Sequence, residues 1–164
     1  MTFSETLAIV PADLADAPAI LALQKIAFEP EARASQMWEI PPLQETVESL
    51  REHIRMATVL KAVDGGRLLG SVRGIVTGSA CLIRVLMVAP EAQGKGLGAR
   101  LLRAIEDAHP AAERFDLTTN MVMVGNVRFY LSHGYEVVEQ VQHSPTIRLA
   151  CMRKFRAAGA PTPA

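Results

Sequence analysis

An apolar run from Leu82 to Val88 stops at Pro90, and Gly94, Gly96 and Gly98 then lead directly into a helical pattern. This strand, glycine loop and helix constrain the chain more than any other segment. Pro90 has no N–H to give a ladder, so the predicted strand ends there. The glycines remove the Cβ atoms that would hold a ligand away from the backbone. The helix after them points its unpaired N–H groups and the positive end of its dipole back at the loop, which makes an anion site for a phosphate-bearing ligand. Three near-adjacent glycines cost folding entropy, which makes a connector that binds nothing an odd use of them.

At 164 residues the chain reads as one domain over 1–155, followed by an Ala/Gly/Pro tail over 156–164 expected to be disordered. Lys+Arg and Asp+Glu balance at 17 each, so no global field favours nucleic acid or an anionic membrane. The loop must attract its anion locally. Cys81 and Cys151 lie in apolar, strand-like runs and are expected as buried free thiols. The four histidines show no metal-ligand spacing, and no metal site is expected. No N-terminal signal pattern is visible and no run approaches the roughly 18 apolar residues of a membrane span. A cytoplasmic location is the expectation.

Residues 7–10 read as a strand closed by Pro11. Asp16 can cap a helix reaching about Phe28, with Ile20, Leu23 and Ala27 on one face. Residues 29–42 read as irregular, with Pro30, the only Trp (Trp38) and Pro41-Pro42. Leu43, Val47, Leu50 and Ile54 then recur as an amphipathic stripe. Strands at 59–63 and 68–76 flank the hairpin signal Asp64-Gly65-Gly66, and a turn at 77–79 leads into the strand at 80–88. Leu97, Leu101, Ile105 and Ala108 face inward from the helix after the glycines. A strand at 115–119 follows, then a short helix that Asn126 can cap and Gly134 can stop, then strands near 135–141 and 147–152. This order predicts an α+β fold, a mixed sheet with helices on its faces.

The nucleoside-triphosphate P-loop fails here, because Lys95 is followed by Gly96 and not by Ser or Thr. A dinucleotide fingerprint matches Gly94, Gly96 and Ala99 formally, but Pro90-Glu91-Ala92-Gln93 separates it from its strand. Val88-x-Pro90 with Gln93-x-x-Gly96-x-Gly98 resembles the acetyl-CoA pyrophosphate signature of the GNAT N-acetyltransferase superfamily. The segment from Asn126 through Tyr130 to Gly134-Tyr135 resembles that family's second signature. The likeness spans nearly the whole chain. It implies a central, mostly antiparallel sheet of about six or seven strands with about four flanking helices.

The resemblance also implies roles. Amides of Gln93, Gly94, Lys95, Gly96, Leu97, Gly98 and Ala99 would hold the CoA pyrophosphate, with Lys95 adding charge or simply solvated and Gln93 bracing the loop. Backbone groups at Met87 and Val88 would meet the pantetheine arm in a gap opened beside the 115–119 strand, and their N–H groups could stabilise an oxyanion. Asn126 would contact CoA or serve only as a helix cap. Tyr130 would protonate the departing thiolate, against the alternative of a packed aromatic. Many relatives carry a glutamate where this chain has Arg84. That leaves Glu29, Glu31 or Glu39, a water chain, or prior loss of the amine proton to do a base's work. Arg73 and Arg84 would favour an acceptor with a carboxylate if both face the pocket. Trp38 and Glu31 would belong to a segment closing over the acceptor.

The implied activity is transfer of an acetyl group from acetyl-CoA to a small-molecule primary amine or amino-acid-like acceptor, through a tetrahedral intermediate and without a metal. Two alternatives stand beside it. One is acetylation of a protein N-terminal or lysine amine; the other is a non-catalytic acyl-CoA-binding module. A homodimer through the last strands is compatible with the pattern but no residue argues for it.

Overall fold

The computed structural model describes residues 3–157. Its first helix begins in a capping box. Asp13 accepts from the Ala15 N–H at 2.9 Å and Asp16 accepts from the Asp13 N–H at 2.8 Å, so Asp13 and not Asp16 supplies the cap. A 3-10 turn over Leu14–Asp16 runs into α1, Ala17–Ser35.

The sequence predicts that α1 ends near Phe28, yet it continues through Pro30. A proline leaves the carbonyl four residues earlier without its bond, and here that residue is Ile26, which is exposed, so water can take up the freed oxygen. The added turns bury Ala32 and Ser35, which favours continuing. A four-residue helix α2, Pro41–Gln44, and then α3, Val47–Met56, follow. Thr46 caps α3 by accepting from the Ser49 N–H at 3.1 Å.

The strands are β1 (Ala8–Pro11), β2 (Thr58–Asp64), β3 (Arg67–Thr77), β4 (Ala80–Val88), β5 (Arg114–Asn120), β6 (Glu136–Ser144) and β7 (Ile147–Phe155). They form one seven-stranded sheet in the order β1-β2-β3-β4-β5-β7-β6. Only β4 and β5 run parallel; the other neighbours are antiparallel. The remaining helices are α4 (Leu97–Asp107) and α5 (Val124–Ser132). The α4 side chains Leu97 and Leu101 cover Gly70 and Ile105 covers Gly74 on β3, while α1 and α3 pack over the other sheet face. Buried Ile20, Leu50, Val72, Leu102, Phe115 and Met152 belong to the continuous core between these layers. The expected α+β fold is the one observed; Ala108, expected inward, is exposed at the end of α4.

Cys81 and Cys151 are free thiols, but only Cys81 is buried as expected; Cys151 is half-buried. Burial pushes the Cys81 thiol up to about 11, which keeps it protonated and inert at neutral pH. Arg156, assigned to the tail from sequence, is fixed by bonds to Ala112 O at 2.8 Å and His109 O at 2.7 Å. The rest of that expected tail, from 158 on, lies outside the described residues. Among the described residues no helix is long and apolar enough to cross a membrane.

Candidate active site

Two departures from regular pairing build the site. β4 and β5 align only at Ala80–Arg114, Cys81–Phe115 and Leu82–Asp116. Beyond these pairs the two strands run on to Val88 and Asn120 without pairing to each other, leaving a gap in the sheet. The register between β3 and β4 also shifts, from Arg73 opposite Arg84 to Ser71 opposite Met87. That places Val85 and Leu86 together across from Val72 in a bulge, with Val85 at a φ of 50°. A β-branched residue in the left-handed region holds strain of order 1–2 kcal/mol, located where β4 parts from β5.

Bond alternation then assigns the backbone groups along β4. Ala89 donates to Leu69 O on β3 at 2.8 Å, so the neighbouring Val88 N–H points to the opposite edge, into the gap. The Val88 carbonyl on that edge accepts from Gln93 Nε2 at 3.2 Å. Met87 turns its backbone to β3: its carbonyl oxygen lies 2.7 Å from the position of a Cβ on Gly70. Val88, and not Met87, therefore offers the free amide.

The loop follows directly. The six N–H groups from Gly94 to Ala99 have no acceptor among the described residues, and the first α4 bond runs from Arg100 N–H to Gly96 O at 3.2 Å. Gly94 and Gly96 hold φ values of 75° and 84°, with open space where a Cβ would stand. Six unpaired donors in the loop and first turn at a helix N-terminus suit a pyrophosphate, which needs several acceptor oxygens satisfied at once. Gly98 instead serves packing, since its Cβ position lies 3.6 Å from the Phe129 ring of α5. The Lys95 ammonium folds back to donate to Glu91 O at 3.1 Å.

A cleft of about 780 Å³ opens at the same gap, within the range of small-molecule sites. Its walls come from the end of α1, α2, α3, the diverging strands and α5. The profile of the acetyltransferase (GNAT) domain matches residues 30–155 of the sequence.

The chain belongs to the GNAT acetyltransferase family. The donor in this family is acetyl-CoA. No curated protein matches the sequence significantly. Among solved structures, a ribosomal-protein-alanine N-acetyltransferase from Brucella melitensis superposes with a TM-score of 0.71 at 20% identity, over 91% of this chain and 99% of that one. A PaiA N-acetyltransferase from Thermoplasma acidophilum in complex with coenzyme A gives 0.71 at 17% identity, over 92% and 99%. A GNAT family acetyltransferase from Elizabethkingia anophelis with acetyl-CoA bound gives 0.67 at 14%, over 93% and 100%. These likenesses establish a shared fold.

In this GNAT chain Tyr130, Asn126, Glu31, Arg73 and Arg84 all line the cleft, while Met87, Val88 and the 93–99 loop lie further along β4 and beyond it. Tyr130 is held at the end of α5 by the turn that closes the helix. The Tyr135 N–H reaches Tyr130 O at 3.1 Å and the Gly134 N–H reaches Leu131 O at 3.3 Å, with Gly134 at a φ of 90°. The Phe129 and Tyr135 rings stand edge-on to Tyr130, at 5.2 and 5.8 Å. Burial raises the phenol above its ordinary value, and no hydrogen bond from the described residues to its hydroxyl opposes the shift. Tyr135 is different: its hydroxyl is already committed to Glu106 Oε2 at 2.8 Å.

Three placements correct the sequence reading. Asn126 is not a cap; Met123 precedes α5 and Asn126 stands in its first turn, on the cleft wall. Trp38 is half exposed and does not line the cleft, whereas Met37 and Glu39 on either side do. Arg73 is not available to a ligand carboxylate. It is 5% exposed and its guanidinium makes two bonds to Glu45, at 2.6 and 2.9 Å, and one to Gln24 Oε1 at 3.0 Å. His53 Nδ1 lies 3.2 Å from both Glu45 Oε1 and Arg73 Nη1.

Glu45, Gln24 and His53 were not singled out in the sequence, where only Glu45 being one residue before a Thr cap hints at a role. Burial by itself would raise the Glu45 carboxyl, but the Arg73 and Gln24 bonds and the Arg73 charge outweigh it and hold it below 4.5. Its stabilising contribution is thus complete above pH 4.5 and is lost as the pH falls through the lower folded value. Glu45→Gln leaves the buried Arg73 unpaired, at an expected cost of about 3–5 kcal/mol. Urea melts at pH 7 and pH 4 check this: the variant should be the weaker at pH 7, with the difference shrinking in acid.

Proposed function

We propose that this acetyltransferase acetylates the primary amine of a small acceptor that also carries a carboxylate, such as an amino acid. The observation that carries the acceptor class is Arg84. It lines the cleft, it is exposed, and it forms no ion pair among the described residues. With Arg73 neutralised by Glu45, Arg84 is the cation left to meet an acceptor carboxylate.

Bound acetyl-CoA supplies an activated thioester, a carbonyl carbon open to the amine with a thiolate to leave. The chain's own groups do the rest. The loop amides of residues 94–99 anchor the diphosphate. The Val88 N–H, aimed into the gap, is placed to receive negative charge on the carbonyl oxygen. Tyr130 holds a proton at every physiological pH because burial raises it, so it is always a donor. A thiolate in the same low-dielectric pocket is made more basic too, so the proton transfer to sulfur is not penalised by the tyrosine shift alone.

Arg84→Ala tests the acceptor. A lost charge-assisted hydrogen bond of about 1.5–3 kcal/mol corresponds to a rise in KM of about 10- to 150-fold for carboxylate-bearing amines. Their decarboxylated analogues should be unaffected. Equal losses for both classes would refute the assignment.

A further inference from the structure

We propose that Glu31 takes the proton from the acceptor amine, and that Asn120 and Ser35 aim it. The proposal rests on the acetyltransferase reading above. β4 carries Arg84 at the position where the resemblance implies a glutamate, so a carboxylate base in this chain has to stand on another element.

The extension of α1 past Pro30 is what brings Glu31 to the cleft wall. There Asn120, at the end of β5, bridges two α1 side chains: its Nδ2 donates to Ser35 Oγ at 2.8 Å and to Glu31 Oε1 at 3.3 Å. Its Oδ1 accepts from the Val122 N–H at 3.2 Å, which fixes the amide orientation. Asn120 and Ser35 are buried, so the bridge is rigid. Glu31 Oε2 has no partner among the described residues and is left for a ligand.

The other carboxylates lack this combination. Glu29 pairs with Arg33 on an exposed face, Glu45 is neutralised by Arg73, and Glu39 sits exposed in an unwound segment with no partner among the described residues to orient it. The remaining charged or titratable groups on the cleft wall are His53, Arg84, Tyr130 and His143, none of them bonded to Glu31. Burial raises the Glu31 carboxyl and the single neutral bond from Asn120 does not restore it. A raised carboxylate is a better proton acceptor near neutral pH.

In the step itself one N–H bond of the acceptor ammonium breaks and its proton passes to Glu31 Oε2, turning carboxylate into carboxylic acid. The electron pair stays on nitrogen as the nucleophile. The proton then leaves to water through the open cleft. Asn120 and Ser35 are positioning residues; only Glu31 touches the amine.

The experiment is the pH dependence of kcat/KM for wild type and Glu31→Gln, using the best amine from a screen, with coenzyme A affinity measured by calorimetry. The wild-type rate should rise with pH through a limb above the ordinary carboxylate value of 4.5. Glu31→Gln should lose that limb and fall about 10²- to 10⁴-fold, with coenzyme A affinity unchanged. Glu31→Asp should keep the limb at reduced rate, and Asn120→Ala should move it to higher pH, because the bond it removes lowers the carboxyl. A Glu31→Gln enzyme with wild-type rate and limb would overturn the proposal while leaving the acetyltransferase reading intact. A wild-type protein that acetylates no amine would overturn both.

Discussion

Gly96→Glu should abolish coenzyme A binding and leave the protein folded. Gly96 caps α4 at a φ of 84° and nothing lies within 4 Å of where its Cβ would be. The substitution therefore meets no steric block, and its backbone cost is about 1–2 kcal/mol, a fraction of the roughly 5–15 kcal/mol that holds a domain together. Its carboxylate, however, stands among six unpaired N–H groups, where it competes for the donors and repels a diphosphate. A loss of at least about 100-fold, roughly 2.7 kcal/mol, is expected in calorimetry. Gly96→Ala separates the two effects: it carries the same backbone strain without the charge and should keep most of the affinity.

Tyr130→Phe should reduce turnover by about 10²- to 10⁴-fold without changing coenzyme A affinity. The ring sits in an edge-on stack between Phe129 and Tyr135, and phenylalanine preserves both contacts. The hydroxyl makes no hydrogen bond among the described residues, so the fold should not suffer. A kcat drop with an unchanged melting temperature is thus the signature of lost proton donation. A melting temperature drop of several degrees with proportionate loss of activity would instead mark Tyr130 as a packing residue. The neighbouring Tyr135→Phe should behave the other way round, since its hydroxyl serves Glu106.

The glycine loop before α4 and the stop of α5 were readable in the sequence because local chemistry dictates them. A proline that ends a strand, glycines with positive φ and a glycine-stopped helix leave marks within a few residues of the site. The hairpin signal at 64–66 and the turn at 77–79 were also readable, and they placed β3 and β4 close to their observed bounds. What could not be read depends on distant partners. Pro30 is a helix breaker by local rule, and only the burial of Ala32 and Ser35 against the rest of the fold carries α1 past it. That extension decides where Glu31 stands. Arg73 and Glu45 are 28 positions apart, so their neutralisation of each other appears only once β3 and the loop before α3 are brought together. The bulge at Val85 has no glycine to announce it; the strain there is imposed by the register of the sheet.

Transfer of an acetyl group through this cleft is most directly tested by steady-state turnover of acetyl-CoA against a panel of small primary amines, amino acids and a short peptide. Several carboxylate-bearing small amines should be acetylated, with lower KM than their decarboxylated counterparts. Free thiol released in step with acetylated product would meet the expectation. Tight acetyl-CoA binding with no transfer to any amine in the panel would contradict it and make the chain an acyl-CoA-binding module.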